Sequence, residues 1–166
     1  MANLQNEYVT DVVQFATFTM KNQLFGVDIL QMREIIQPIE ITKVPRAPSI
    51  MEGVINLRGQ VIPIISLRKR FGLPAKPFDK ETRIINMQID NMIVGFIVDS
   101  IDHVRRVAKS AIEEPPAVTA TVNADAVSGI INNDDSDEGG LILILDMAKL
   151  ISNVQLEDFI DGANPA

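Results

Sequence analysis

The residues able to do covalent or metal chemistry are few. The chain of 166 residues has no Cys and a single His, His103, so thiol nucleophiles, Cys/His zinc clusters and multi-His metal centres have no ligands to build from. Nothing in the cysteine usage points to an oxidising compartment. A hydroxyl nucleophile needs a base within hydrogen-bond reach, and neither the G-x-S-x-G elbow nor a G-x-x-x-x-G-K-[ST] phosphate loop occurs. His103 lies in Asp102-His103-Val104-Arg105 and reads as a solvated imidazole on an exposed strand. Glu113 and Glu114 are adjacent, and neighbours on an extended chain point to opposite sides; Pro115 and Pro116 mark a loop entry. The acidic tract 133–139 invites a calcium reading, with Asn133, Asp135 and Asp137 at loop positions one, three and five. Position six is then Glu138 instead of Gly, and position twelve is Ile144 instead of Glu. A solvated hairpin tip is the better expectation. The sequence therefore predicts no enzyme, no metal and no cofactor.

One polar group stands out against apolar surroundings. In the segment 49–67, Asn56-Leu57-Arg58-Gly59-Gln60 carries an arginine to the tip of a hairpin, and Gly59 can take the positive φ that a tight turn demands. Pro63, lacking an N–H, is expected at an edge or a bulge of its sheet. An exposed arginine beside an edge strand is a place where a partner could dock. From the residues alone, an ordinary surface arginine is the simpler reading.

The elements that would position this tip follow from composition. Hydrophobic residues make up 46% of the chain and aromatics only 5%, so the core is built from Val, Ile and Leu in short runs broken by Gly, Pro and Asn, which read as strands. Strands are expected near 13–20, 23–28, 40–44, 53–57, 60–66, 82–89, 92–99, 102–107, 126–132 and 140–146. Short helices are expected near 29–36 and 66–71, with a longer one from 147 towards 159. This is a mainly β chain of the barrel or sandwich type. The formal charge of −7, from 15 Lys+Arg against 22 Asp+Glu, argues against binding nucleic-acid phosphates; the lone basic cluster is Arg68-Lys69-Arg70. The strongest apolar runs, 93–98 and 141–145, fall far short of the roughly 20 residues of a membrane helix. The first eight residues lack basic side chains and an apolar stretch follows nowhere near them, so neither a secretory signal nor membrane insertion is expected and the chain reads as cytoplasmic.

An internal repeat organises these strands. Residues 18–26 align without a gap on 87–95, placing Asn22 on Asn91 and Gly26 on Gly95, a displacement of 69 positions. Both read as strand, tight turn and returning strand. Gly53-Val54-Ile55-Asn56 then matches Gly129-Ile130-Ile131-Asn132, each followed by a turn, an apolar strand (61–65 and 141–145) and a helix start. Short hairpins also resemble one another by chance, so the residues alone leave the duplication open. Gly26, Gly95 and Gly129 read as structural, permitting close approach within strands.

At these same residues the chain resembles the CheW family of chemotaxis coupling proteins. The likeness runs through 15–20, Phe25-Gly26-Val27-Asp28-Ile29, Arg33-Glu34-Ile35, Gly53-Val54-Ile55-Asn56-Leu57-Arg58-Gly59, 61–68, Val94-Gly95-Phe96-Ile97-Val98-Asp99 and the closing 141–150. It spans about 13–152, and Asn-Leu-Arg-Gly followed by an apolar strand with an inner proline is its most specific part. The resemblance implies two intertwined five-stranded SH3-like barrels with a few short helices. It implies one domain over 13–152, with sequence halves of about 13–80 and 81–152 that can exchange strands, and terminal extensions 1–12 and 153–166. It further implies a non-catalytic, stand-alone adaptor joining the cytoplasmic tip of chemoreceptors to the regulatory domain of a histidine kinase, recruited to membrane-associated receptor arrays, with other copies of itself as ring partners. The family's functional positions fall on Met32, Glu34, Gly53, Arg58 and Gly59. A Glu34–Arg58 salt bridge is expected, orienting the guanidinium more than stabilising the fold; Met32 suits either an adaptable contact or the core. Two other readings remain: an adaptor of a different chemosensory pathway serving pili, gliding or second-messenger control, and a small-ligand barrel or enzyme, which would need a pocket lined with polar groups.

Overall fold

Two-residue turns cut the apolar runs into strands. In the computed structural model, which describes residues 11–115, 126–133 and 140–152, Met20 pairs with Gln23 and Leu57 with Gln60. The residues between them take left-handed φ values, 49° and 67° at Lys21 and Asn22, 51° and 84° at Arg58 and Gly59. Such turns match the right-handed twist of the flanking strands. Ten strands result: β1 (Val12–Met20), β2 (Gln23–Asp28), β3 (Met32–Ile36), β4 (Met51–Leu57), β5 (Gln60–Ser66), β6 (Arg83–Ile89), β7 (Met92–Val98), β8 (Ser100–Ala108), β9 (Val127–Asn132) and β10 (Leu141–Leu145). Ser66 and Asp146 cap the short helices Leu67–Arg70 and Met147–Leu150 by accepting from the backbone N–H of Lys69 and Lys149, as Ser and Asp do at helix starts.

The strands form two five-stranded sheets, ordered β8-β1-β2-β10-β9 and β3-β6-β7-β5-β4. Each sheet therefore combines the first hairpin of one half of the chain with the last three strands of the other half. The pairings repeat with the sequence: β2 meets β10 in parallel through Gly26 and Ile144, and β7 meets β5 in parallel through Gly95 and Ile64. The displacement of 69 carries β1, β2 and β3 onto β6, β7 and β8, bulges included: the register slips opposite Thr17 in one sheet and at Arg33 in the other. Sequence halves are thus not spatial halves.

Burial separates three apolar layers. Phe15, Ile131, Ile142 and Ile144 cluster within the first sheet, and Ile55, Ile62, Ile64 and Ile84 within the second. Between the sheets lies a larger core in which Phe18, Met20, Phe25 and Val27 of one face meet Met87, Val94, Phe96 and Val98 of the other. Burying each such side chain contributes about 1.5–3 kcal/mol. The two glycines at the parallel pairings make room for isoleucines: a Cβ on Gly95 would lie 2.6 Å from Ile64 Cδ1, and one on Gly26 would lie 3.0 Å from Ile144 Cδ1.

A half-buried ion pair holds the crossing between the sheets. Arg68 donates through Nε and Nη2 to the two carboxylate oxygens of Asp99, at 2.8 and 2.7 Å, and through Nη1 to the Pro74 carbonyl at 2.7 Å. Asp99 stands between β7 and β8, where the chain leaves one sheet for the other. Its carboxylate also accepts from Lys21 N in the β1–β2 turn at 2.9 Å. Burial pushes the Asp99 carboxyl upward, but the bonds from Arg68 and Lys21 and the guanidinium charge outweigh it and hold it below its ordinary value. Asp102 is held low in the same way, its burial outweighed by bonds from the Thr17 hydroxyl and Arg105.

Three expectations from sequence need correction. Residues 29–36 are not a helix: Ile29–Gln31 make one 3-10 turn and Met32–Ile36 a strand, because β3 finds a ladder on β6 that outweighs the helical spacing of Ile29, Met32 and Ile36. Residues 40–44 contribute a single bridge, Thr42 to Val54. Pro63 is not at an edge, since β5 lies between β7 and β4. Val54, its partner on β4, exchanges both backbone bonds with Thr42 at 2.9 Å, so the Pro63 nitrogen faces β7, where the parallel ladder begins one residue later at Ile64. The acidic tract 134–139, Pro116, the helix beyond 152 and both expected extensions, apart from 11–12, lie outside the described residues.

Two outcomes test this account. Gly95→Ala forces a methyl into Ile64 and the Asn86 oxygen and should cost about 1–3 kcal/mol in urea unfolding; an unchanged midpoint would show that the contact relaxes freely. Asp99 and Asp102 have folded pKa values below their unfolded ones, so their stabilisation is complete above about pH 4 and is lost as pH falls through the folded values. Arg68→Ala should cost about 3 kcal/mol at neutral pH and make the acid limb shallower, read from urea midpoints between pH 7 and pH 2.

Candidate functional site: a cleft between the ends of one sheet

The β4–β5 turn is built to project one side chain. Asn56 Oδ1 accepts from the Gly59 N–H at 2.9 Å, which fixes the turn and leaves Arg58 in the left-handed region at φ 51°. Its side chain is 70% exposed, and Nη2 pairs with Glu34 Oε1. Glu34 lies on β3, one end of the second sheet, whereas the Arg58 turn joins β4 and β5 at the other end. The ion pair therefore spans the gap between the two ends of the sheet. Beneath it is a cleft of about 300 Å³ whose lining includes Met32, Arg33, Ile62, Asn86 and Ile93.

The residues expected from sequence do not all meet here. Glu34 and Arg58 form the bridge, Gly59 completes the turn, and Met32 lines the cleft with one side while packing against the inter-sheet core. Gly53 is elsewhere: it is buried in the β4 bulge at φ 150°, and a Cβ there would lie 2.2 Å from the Thr42 carbonyl oxygen. The missing side chain leaves room for the Thr42–Val54 bridge.

Sequence reading missed Asn86 and Leu30. Asn86 is 1% exposed, lines the cleft, and neither Oδ1 nor Nδ2 has a hydrogen-bond partner. An unsatisfied buried polar group costs about 1–3 kcal/mol, so this amide is expensive in a run of Ile and Met. Room for it comes from Gly95, its cross-strand partner, where a Cβ would lie 2.8 Å from Oδ1. A signal was present: the displacement of 69 sets Asn86 on Thr17, the other polar residue at the middle of an otherwise inward apolar face. Leu30 is 88% exposed on the 3-10 turn, an apolar side chain two residues from Met32; nothing in its spacing distinguished it from core.

Thr17, Asp102 and His103 stand together, but the carboxylate oxygen that accepts from the buried Thr17 hydroxyl at 2.8 Å, Asp102 Oδ2, also accepts from Arg105 Nη2 at 3.1 Å; a carboxylate held below its ordinary pKa in this way is a poor base for the hydroxyl proton. The cleft of about 610 Å³ beside His103 has Glu113 as the one carboxylate among its lining residues. Among the described residues no group of three or more His, Cys, Asp or Glu could hold a metal ion, and no helix is long and apolar enough to cross a membrane.

Comparison with known proteins agrees with the double-sheet architecture. The CheW-like domain matches residues 14–155. The chemotaxis protein CheW of Helicobacter pylori is 33% identical over 150 residues, covering 90% of this chain and 88% of that protein. CheW of Treponema pallidum is 30% identical over 148 residues, covering 87% and 85%. The crystal structure of the scaffolding protein TtCheW from Thermoanaerobacter tengcongensis matches with a TM-score of 0.75 at 37% identity, covering 84% of this chain and 92% of that one. With its two five-stranded sheets, its Asn-Leu-Arg-Gly turn and these likenesses over nearly its whole length, the chain belongs to the CheW family, the non-catalytic scaffold adaptors of chemotaxis.

Proposed function

We propose that this adaptor couples the cytoplasmic tips of chemoreceptors to the regulatory domain of the chemotaxis histidine kinase, and that the Glu34–Arg58 cleft is a docking site for these partners. The observation that carries the reading is an arginine raised on a left-handed turn, largely exposed, and held in one orientation by a carboxylate from the opposite end of its sheet. A guanidinium so placed presents a planar fork of donors to a carboxylate or carbonyl of an approaching partner. Met32 would supply adaptable apolar contact beside it, and Gly59 and Gly53 would hold the backbone shapes that set Arg58 and β4 in place. In this reading residues 13–152 act as one unit in the cytoplasm, recruited to membrane-associated arrays in which further copies of the chain are neighbours.

An exposed pair contributes about 0–1 kcal/mol to stability. Arg58→Ala should therefore leave the urea midpoint almost unchanged while lowering retention of a chemoreceptor cytoplasmic fragment or of the kinase regulatory domain at least about tenfold, the effect typical of an interface hot spot. A large loss of stability, with binding kept by the folded fraction, would sink the role given to Arg58. Binding of the unaltered chain to neither partner would sink the coupling function itself.

A further inference from the structure

The Asn86 amide, buried in the cleft with neither polar atom partnered, is left unexplained by the docking role of Arg58. Resting on that role, we propose that Asn86 is a positioning residue: when Arg58 leaves Glu34 for an acceptor on the partner, the Glu34 carboxylate turns inward and takes the Asn86 side-chain N–H.

The geometry supplies both ends of this exchange. Glu34 and Asn86 are directly opposed in the β3–β6 register, so their side chains share a face with Cβ atoms about 5 Å apart. A change of Glu34 rotamer spans what remains. Asn86 Nδ2 brings two donors, neither used, and the missing side chain at Gly95 gives the amide its place. The carboxylate is about one-third exposed, and among the described residues Arg58 is the one cation within salt-bridge distance of it. Without a second donor, handing Arg58 to a partner would strand the Glu34 carboxylate beside an amide that is itself unpaired.

The other sheet already shows the end state. At the positions related by the displacement of 69, the bulge of β8 sets Asp102 and His103 against Thr17, as the bulge of β3 sets Arg33 and Glu34 against Asn86. There the inner polar side chain, Thr17, donates at 2.8 Å to a carboxylate of the outer strand, Asp102. The second sheet has a donor at the same inner position, the Asn86 amide, and an outer carboxylate one position away from Asp102's equivalent, drawn outward to Arg58. The pseudo-symmetric fold thus contains both states of one arrangement.

Two arms test this on the full chain. In the first, which needs no partner, the Asn86 side-chain 15N–1H resonances are followed in the unaltered chain, in Arg58→Ala and in the double variant Arg58→Ala with Glu34→Ala. Release of Glu34 should shift these protons downfield and slow their exchange with water in Arg58→Ala, and the double variant should return them to their starting positions. No shift in Arg58→Ala, or a shift that persists without Glu34, overturns the proposal. In the second arm, binding of a chemoreceptor cytoplasmic fragment is measured for Asn86→Val, or Asn86→Leu if the first lacks a cooperative unfolding transition, in the native and Glu34→Ala backgrounds. Asn86→Val should weaken binding about fivefold in the native background and not at all without Glu34, the sign of coupling through the carboxylate. Equal weakening in both backgrounds, or none in either while Arg58→Ala still abolishes binding, overturns the exchange and leaves the docking role intact. If the unaltered chain does not bind the fragment, the docking role falls, and the resonances alone decide whether Asn86 receives Glu34.

Discussion

Everything in this fold depends on two parallel strand contacts made through glycine. Gly26 meets Ile144 and Gly95 meets Ile64, and at each contact an isoleucine occupies the space where a Cβ would be. Parallel neighbours cannot be joined by a tight turn; here each comes from the opposite half of the chain. Neither half can complete its sheet alone. The consequence is a single inter-sheet core to which both halves contribute, and a crossing point at Asp99 that Arg68 and the Lys21 turn hold from different elements. Arg68-Asp99 is accordingly a structural pair, although in sequence it looks like part of a basic cluster and the end of an apolar run.

The two sheets stop being alike at the Glu34–Arg58 cleft. In one sheet the bulge opposite the inner strand is filled by a closed network of Thr17, Asp102 and Arg105. In the other, the carboxylate reaches away from the inner amide to an arginine on a neighbouring turn, and the amide is left unsatisfied. The first arrangement stabilises; the second tolerates a polar cost inside and an almost neutral ion pair outside. Sites that bind are drawn from such locally unfavourable places, because a group already satisfied within its own chain has little to offer another. For the proposed docking role that asymmetry matters, because a scaffold needs no reaction centre but does need a surface whose polar groups can change partners.

Hairpin positions were legible because two-residue turns and apolar runs are local: the strands at 23–28 and 60–66 fall where expected, and most others within a residue or two. Elements whose identity depends on a distant ladder were not. Met32–Ile36 has helical spacing and becomes a strand because β6 offers it hydrogen bonds, and Pro63 sits inside a sheet because Thr42 turns the backbone of Val54 away from it. Of the site, Glu34 and Arg58 were legible through family likeness, and their bridge is present. Gly53, read as part of that site, lies apart from the cleft, in the β4 bulge against Thr42. For Asn86 the repeat marked a polar position by setting it on Thr17, but a lone amide in an apolar strand says nothing about which carboxylate stands opposite.

The sequence by itself determined the chemistry class and the building blocks: a chain without Cys, with one His and an acidic balance, made of repeated hairpins whose turns and glycines are fixed by local φ preferences and close approach. Tertiary structure alone decided that the repeated units trade strands, that Glu34 and Arg58 close the two ends of one sheet, and that Asn86 lies beneath them without a partner. The reason is range. Turn conformation and apolar alternation are set by residues a few positions apart, whereas the pairing of β5 with β7, or of β3 with β6, joins segments separated by some thirty to fifty residues. Which strand fills an open sheet edge is settled by the whole core that forms when it does.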